Sequence, residues 1–495
     1  MAWTFGEGFD LYVNMSDPIA GYWDSGFGQV GGNTLVTGRF AGSQAVALSS
    51  ALVSLVKSSG VNDSVHHIVC AFRQTAALSG STLAAYFQLS DGVTNQVCVV
   101  FRSDGAILLT SATPAGTVLD TYTGAVNAVN TWLTFEFEVI ISNTVGAFRA
   151  RRNGNSSTDH DSGATLNTRP GTNSYANKLT LGQNLTLPNQ QFDDIFWRSD
   201  ASSVAWMGDI RCYTRMPASD ASAQFSRSPN PVGLALGTNT TAVETTSQAH
   251  YTSFTATYSG TVGAASVNFG AGFTGNCKVA LFADSGGGVP GTVLGSATAI
   301  LSNPVSGYNA VTFSPAIAVT QNSQYWIGVS HDVSATLGTV NPGITGRIGT
   351  AVAYASFPSS NPSVGAANNP QAWTATLVPT VNTGFVNDTP QDGITSYVYD
   401  STVGHADFYN IAARGASVTS VLAVTTRGFA AKSDAGTRNA AVQLKSGATT
   451  VQTTSTALTT AFINIWRTDV TDPNTSAAWT ATAVDSVQIG PIVTV

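Results

Sequence analysis

An all-β protein, built as three β-sandwich, jelly-roll-like domains in series, is predicted by three features of this 495-residue chain. Thr, Ser, Ala, Val, Gly and Asn dominate, arranged as short runs between turn signals. Several runs alternate apolar and polar residues with period two, the pattern of a half-buried strand. No convincing helical period exceeds two turns, and there are no heptads or short repeats.

Taken in chain order, the clearest element is Leu133 to Ile141. Leu133, Phe135, Phe137, Val139 and Ile141 share one face, and Thr134, Glu136 and Glu138 share the other. Asn143-Thr144 then reads as a short turn, Val145 to Arg152 as a returning strand, and Asn153-Gly154 as a hairpin turn signal. A two-residue turn at Asn143-Thr144 sets Glu138 opposite Arg149 and Glu136 opposite Arg151. Such facing charges stabilise a sheet by about 0.2–1 kcal/mol per pair. Further strands are expected at Tyr251 to Tyr258, Ala310 to Phe313, Gln324 to Ser330 and Ala440 to Leu444.

Charge divides the chain. Residues 230–370 hold five charged side chains: Glu244, Lys278, Asp284, Asp332 and Arg347. Both flanks are richer, and Pro/Ser/Asn-rich stretches lie at Ser226 to Pro231 and Asn361 to Pro370. The expected domains are 1–229, 230–370 and 371–495, each long enough to bury a core.

Composition also narrows function. Only 10 % of residues are charged, against about a quarter in ordinary soluble domains. The formal net charge of −7 argues against nucleic acid or an anionic membrane as partner. No apolar run of about 18 residues is present, so no membrane span is expected. The start, Met1 to Glu7, lacks a basic and then apolar leader, so synthesis in a cytoplasm without a signal peptide is expected. Cys70, Cys98, Cys212 and Cys277 are scattered and read as free thiols.

Candidate chemistry is sparse. Glu136 and Glu138 sit at i,i+2 on a strand, a spacing that could place two carboxyls about 5 Å apart, as retaining glycosidases require. The charge ladder with Arg149 and Arg151 is the preferred reading. His66 and His67, near Asp63, point to opposite faces of a strand and do not share an ion easily. His160 with Asp159 and Asp161, and Asp193-Asp194, could offer oxygens to Ca²⁺, but a polar loop and a structural turn are the simpler readings. His405 with Asp407 lacks a nucleophile elbow. Trp23, Trp206 and Trp326 read as packing residues before sugar platforms. No catalytic, cofactor-binding or metal residue is assigned; no cofactor is expected; ligand-binding residues are left open.

Three blocks carry a resemblance. Phe5-Gly6-Glu7-Gly8-Phe9-Asp10, Gly38-Arg39-Phe40, Leu179-Thr180-Leu181-Gly182 and Phe192-Asp193-Asp194-Ile195-Phe196 are similar in order to concanavalin A-like (laminin-G-like) sandwiches. With Trp206-Met207-Gly208-Asp209-Ile210-Arg211, the ending resembles the version in tailed-bacteriophage and gene-transfer-agent virion proteins. Asn387-Asp388-Thr389-Pro390, Asp434 to Arg438, Leu444 to Gly447 and Ala477 to Thr480 are similar to a C-terminal sandwich of such proteins. Val279 to Ser285, Pro290 to Leu294 and Gln324 to Val329 resemble a sandwich module scattered through bacterial surface, wall-associated and phage proteins, some of them thought to bind carbohydrate.

The resemblance implies a virion protein, a fibre, spike or decoration on tail, neck or capsid, for host attachment. Its implied partners are other virion proteins and host-surface polysaccharide, with self-association as a homo-oligomer, a trimer in first place. It is expected not to be an enzyme. A purely structural capsid or tail component without ligand and a polysaccharide depolymerase are the alternatives.

Overall fold

The computed structural model describes residues 3–12, 22–24, 33–48, 54–77, 79–183, 190–203, 205–228, 232–235, 240–244, 248–339, 346–349, 354–358, 360–367, 371–388, 394, 396–415, 418 and 420–495. Its secondary structure is almost wholly antiparallel β, as predicted; among the described residues the one α-helix is the five-residue Ala481–Asp485. The chain forms two compact units. One comprises Met1–Gln224, Asn387–Asp392 and Asp400–Val495; the other comprises Phe225–Val386 and Gly393–Tyr399.

In the first unit the strands run β1 (Trp3–Glu7), β2 (Thr34–Thr37), β3 (Gln44–Leu48), β4 (Leu55–Asp63), β5 (Val65–Gln74), β6 (Leu83–Ser90), β7 (Asn95–Arg102), β8 (Ile107–Ser111), β9 (Val118–Tyr122), β10 (Leu133–Ile140), β11 (Ala147–Arg152), β12 (His160–Asp161), β13 (Ala176–Gln183) and β14 (Gln190–Asp200). Two sheets form. One has the order β12-β11-β10-β5-β14-β3-β2, with β1 also on β14; the other has the order β4-β13-β6-β7-β8-β9. Their facing sides supply an aromatic core. Phe72 stacks on Phe101 with centroids 4.3 Å apart, and Phe192 meets Phe87 at 5.5 Å and Phe101 at 5.4 Å. These rings come from both sheets, so the core is the interior of a sandwich.

Strand β10 supplies Phe135, Phe137 and Val139 to that core, as its alternation predicts. It pairs with β11 in the predicted register, Glu136 opposite Arg151 and Glu138 opposite Arg149. The strand differs from expectation in one respect. It is buried on both faces rather than half-buried, Glu136 being 2 % and Glu138 3 % exposed. The cause is a covering segment, residues 205–212, that lies over Glu136 and His67, together with Arg149 and His67 against Glu138.

Strand β14 carries a bulge. Asp193 pairs with Ala71, but the next partners are Phe196 and Val69, so β14 has one residue more than β5 across this step. Asp194 takes up the extra residue at φ 48°, a left-handed conformation that Asp tolerates better than most side chains. On its other edge β14 pairs first with β3 and then, past the bulge, with β1.

The remainder of the first unit is a sheet ordered Pro217–Ser222, Phe408–Ile411, Gln488–Val493, Asn439–Ser446, Thr449–Gln452, and a two-stranded sheet of Val424–Ala430 with Ile463–Asp469. Leu444, Trp479, Val484 and Val487 form a small core there. The two-stranded sheet also packs Phe429 and Trp466 against the aromatic core of the first sandwich.

The second unit has two six-stranded sheets enclosing Val267, Val279, Leu281, Ile327, Leu337 and Trp373, among others. Trp373–Pro379 pairs with Gly260–Phe269 inside it. Its incoming strand Ser226–Ser228 and outgoing strand Tyr397–Tyr399 pair with each other, so the unit's two ends lie side by side.

Candidate functional site

Four of the family-like blocks meet at one rim of the first sandwich, around the β14 bulge. The bulge turns two consecutive carboxylates inward, Asp193 and Asp194, both almost fully buried. Asp193 Oδ2 accepts the backbone N–H of Arg39 (2.8 Å), and its Oδ1 accepts the N–H of Asp194 (2.8 Å). This ties the β2–β3 turn to β14. The turn itself needs glycine at Gly42, where φ is +81°. Asp194 Oδ1 accepts the N–H of Cys212 (2.8 Å), which anchors the covering segment. Arg39 completes the latch with a bidentate pair to Asp209, one arm at 2.6 Å, and lies 3.7 Å from Asp194 Oδ2.

Burial raises the pKa of both aspartates, and the charge of Asp193 raises Asp194 further, against the pull of Arg39. Two adjacent carboxylates in an apolar rim do not both hold a charge easily, so the pair keeps a proton well above the usual Asp range. Asp193-Asp194 thus acts as the structural turn. Among the described residues no group of three or more His, Cys, Asp or Glu side chains is placed to hold a metal ion.

Beside this latch lies a cavity of about 220 Å³ whose wall includes Asp10, Ser43, Arg211, Tyr213, Thr214 and Met216. Asp10 Oδ1 accepts the N–H of Gln44 (2.9 Å). Burial raises the Asp10 pKa, helped by the charge of Glu7 and opposed by Gln44 and Arg211. The Arg211 guanidinium lies between two rings, 3.9 Å from the Phe40 centroid and 4.7 Å from that of Tyr213. Tyr213 is 41 % exposed at the wall.

The glutamate pair lies elsewhere, on the outer face of β10. Glu138 pairs with Arg149, as the sequence predicts, and Arg149 also meets Asp161 at 3.2 Å. His67, between the two glutamates, lies 3.1 Å from Glu138 Oε2 and 3.7 Å from Glu136 Oε1; these are ion-pair approaches without hydrogen-bond alignment. Burial lowers the His67 pKa, but the two glutamates outweigh it and raise it. Burial pushes Glu138 up, yet His67 and Arg149 bring it down to about 2.

Glu136 departs from the ladder. It is aligned with Arg151, but its two oxygens accept the N–H groups of Met207 (2.7 Å) and Gly208 (2.9 Å). Arg151 instead stacks on Trp206 at 4.6 Å, and Trp206 meets His67 edge-on at 5.8 Å. Glu136 is therefore sealed beneath the covering segment, and Glu138 is closed off by His67 and Arg149.

The other candidates separate. His66 and His67 take opposite faces: Trp197 Nε1 donates to His66 Nδ1 (3.2 Å), and His66 Nε2 lies 3.0 Å from the Asp63 carbonyl. His160 meets Asp120 at 2.7 Å, while Asp159 accepts the N–H of Arg152 and Asp161 pairs with Arg149. His405 faces Asp400 at 2.9 Å, whereas Asp407 accepts the hydroxyl of Tyr409 and the N–H of Gln224. Trp23 and Trp326 are core residues, and Trp326 Nε1 donates to Asp284 (2.8 Å). All four cysteines are free, three buried and Cys212 partly so.

Asp10 and Arg211 stood inside resemblance blocks without a role, and Tyr213 stood outside them. The available signal was an aspartate doublet inside an apolar strand, which alternation alone does not explain.

No family model matches the chain, and no curated protein matches it. Among solved structures, it aligns with the cellulose-induced protein Cip1 at 13 % identity over 41 % of this chain and 100 % of that one, TM-score 0.28. It aligns with arcelin-5, a lectin-like defence protein from Phaseolus vulgaris, at 10 % identity over 40 % and 96 %, TM-score 0.23. The catalytic domain of a glycoside hydrolase family 131 protein from Coprinopsis cinerea aligns at 11 % identity over 41 % and 96 %, TM-score 0.26. These alignments assign no residue and no activity to this chain.

Proposed function

We propose that the chain is a non-catalytic structural component of a tailed-bacteriophage or gene-transfer-agent type particle. It would contact host-surface polysaccharide and hold it without cleaving it. The observation that carries the non-catalytic part is the state of Glu136 and Glu138. Both are buried: Glu136 is held by the N–H groups of Met207 and Gly208, and Glu138 by Arg149 and His67. A glycosidase needs its pair open to a sugar and a water. The particle part rests on the residue blocks at both ends of the chain. Their latch residues, Arg39, Asp193, Asp194 and Asp209, serve the scaffold. Sparse charge in the second unit's segment suits a surface of polar uncharged strands.

The test has three measurements. Labelled antibody on intact particles should mark this chain on their outside. Purified chain should bind host cells and, in light scattering, self-associate, with a trimer expected. Incubation with host capsule or lipopolysaccharide should yield no new reducing ends. New ends that vanish in Glu136→Gln or Glu138→Gln would replace this reading by a depolymerase.

A further inference from the structure

We infer that the rim cavity walled by Asp10, Arg211 and Tyr213 binds one neutral sugar ring, such as a terminal or branch residue of a glycan. This deepens the attachment reading and rests on it for its biological meaning.

Size is the first argument. The cavity, about 220 Å³, is below the roughly 300–1,000 Å³ of pockets for drug-sized ligands. It suits a single ring, not an extended chain.

Chemistry is the second. A sugar ring presents a hydroxyl edge that donates and accepts, and a C–H face that is apolar. The wall offers a match to each. Asp10 accepts: its carboxylate takes the Gln44 N–H and the Thr214 hydroxyl and keeps further lone pairs for a sugar hydroxyl. Arg211 is the donor at the wall: its guanidinium lies over the Phe40 and Tyr213 rings and carries five N–H groups. The exposed Tyr213 ring supplies a flat surface for the C–H face.

Charge is the third. Among the wall residues one carboxylate balances one guanidinium. An acidic sugar would bring its own carboxylate beside Asp10 with no net positive charge on the wall to meet it, so a neutral ring is the better occupant.

Pre-organisation is the fourth. The β2–β3 turn is tied by Asp193, and the segment through Cys212 by Asp194 and by the Arg39–Asp209 pair. Both walls are fixed before a ligand arrives, which lowers the ordering cost of binding.

The experiment uses the full chain and saturation-transfer NMR with glucose, galactose, N-acetylglucosamine and glucuronic acid at millimolar concentration. At least one neutral sugar should receive transfer, more strongly than glucuronic acid. Tyr213→Ala and Asp10→Asn should each weaken it about tenfold with unchanged melting. Tyr213 is a surface residue, so its variant remains informative where Asp10→Asn disturbs folding. The proposal is overturned if no neutral sugar receives transfer, if glucuronic acid is preferred, or if transfer persists in both variants. Host-cell binding is measured in parallel. Sugar binding without cell binding keeps the cavity and removes the attachment reading. Cell binding without sugar transfer does the reverse.

Discussion

Gly38 shows how little room the rim latch leaves. A Cβ there would lie 2.3 Å from Ser43 Oγ and 2.7 Å from Asp193 Oδ2, because the β2–β3 turn presses directly onto the bulged strand. Gly38→Ala should cost about 2 kcal/mol, in the range for forcing extra volume into a packed site. Thermal melting of the variant checks this, and an unchanged midpoint would mean the turn is not clamped. Glu138 supports a pH prediction. Its folded pKa of about 2 lies below the ordinary 4.5, so its charge stabilises the fold fully above pH 4.5. That contribution is lost as pH falls from 4.5 toward 2. Glu138→Gln should therefore be less stable than the parent near neutrality, and the two should converge in acid. His67 works in the opposite sense: its raised pKa gives stabilisation present below its ordinary value of 6.5 and lost as pH rises through the folded value. Denaturant midpoints from pH 2 to 8 separate the two groups.

At the scale of elements, the covering segment decides what β10 and β5 can do. Trp206 packs over His67 and Arg151, and the next two N–H groups end on Glu136. An uncovered face would present a histidine between two glutamates to solvent; the covered face is a closed polar network. Trp206→Ala should destabilise the unit by about 2 kcal/mol, less than a fully buried Trp would, since its ring is half-buried. Hydrogen exchange at the Met207 and Gly208 amides should accelerate with it. If those amides stay protected, the segment is held by Cys212 N–H on Asp194 and by the Arg39–Asp209 pair, not by the ring.

At the scale of the molecule, the first unit is assembled from both ends of the chain. Arg427 and Trp466, on the two-stranded sheet of the C-terminal part, meet Tyr22 at 4.0 Å and 5.2 Å, and Arg427 lies 3.7 Å from Glu7. Lys57 lies over Trp466 at 4.5 Å. A chain ending at Gln224 would lose these partners and leave buried Glu7 without its arginine, a costly state. It should aggregate or melt well below the full chain. The second unit has paired ends, the geometry of a domain inserted at an exposed loop. Joining Gln224 to Asp400 should therefore yield a folded protein with a cooperative melt. An unfolded product would show that the second unit, or residues 387–392 of the first, is needed for the fold.

Local pattern by itself determined the class and the register of one strand pair. Period-two alternation and a short polar turn were enough to set Glu138 opposite Arg149, because register inside a hairpin depends on neighbours in sequence. Asn153 and Gly154, at φ 53° and 68°, form the turn their types announce. The expectation of one solvated face on β10 failed because the cover lies some seventy residues further along the chain, as the contact from Glu136 to Met207 shows. The rim was legible only in parts: the blocks were visible, their meeting was not. Arg39 and Asp209 are 170 residues apart, and Arg427 and Tyr12 are 415. Alternation records which side of its own strand a residue takes. It carries no information about which distant segment will cover that side, and only packing in three dimensions decided that.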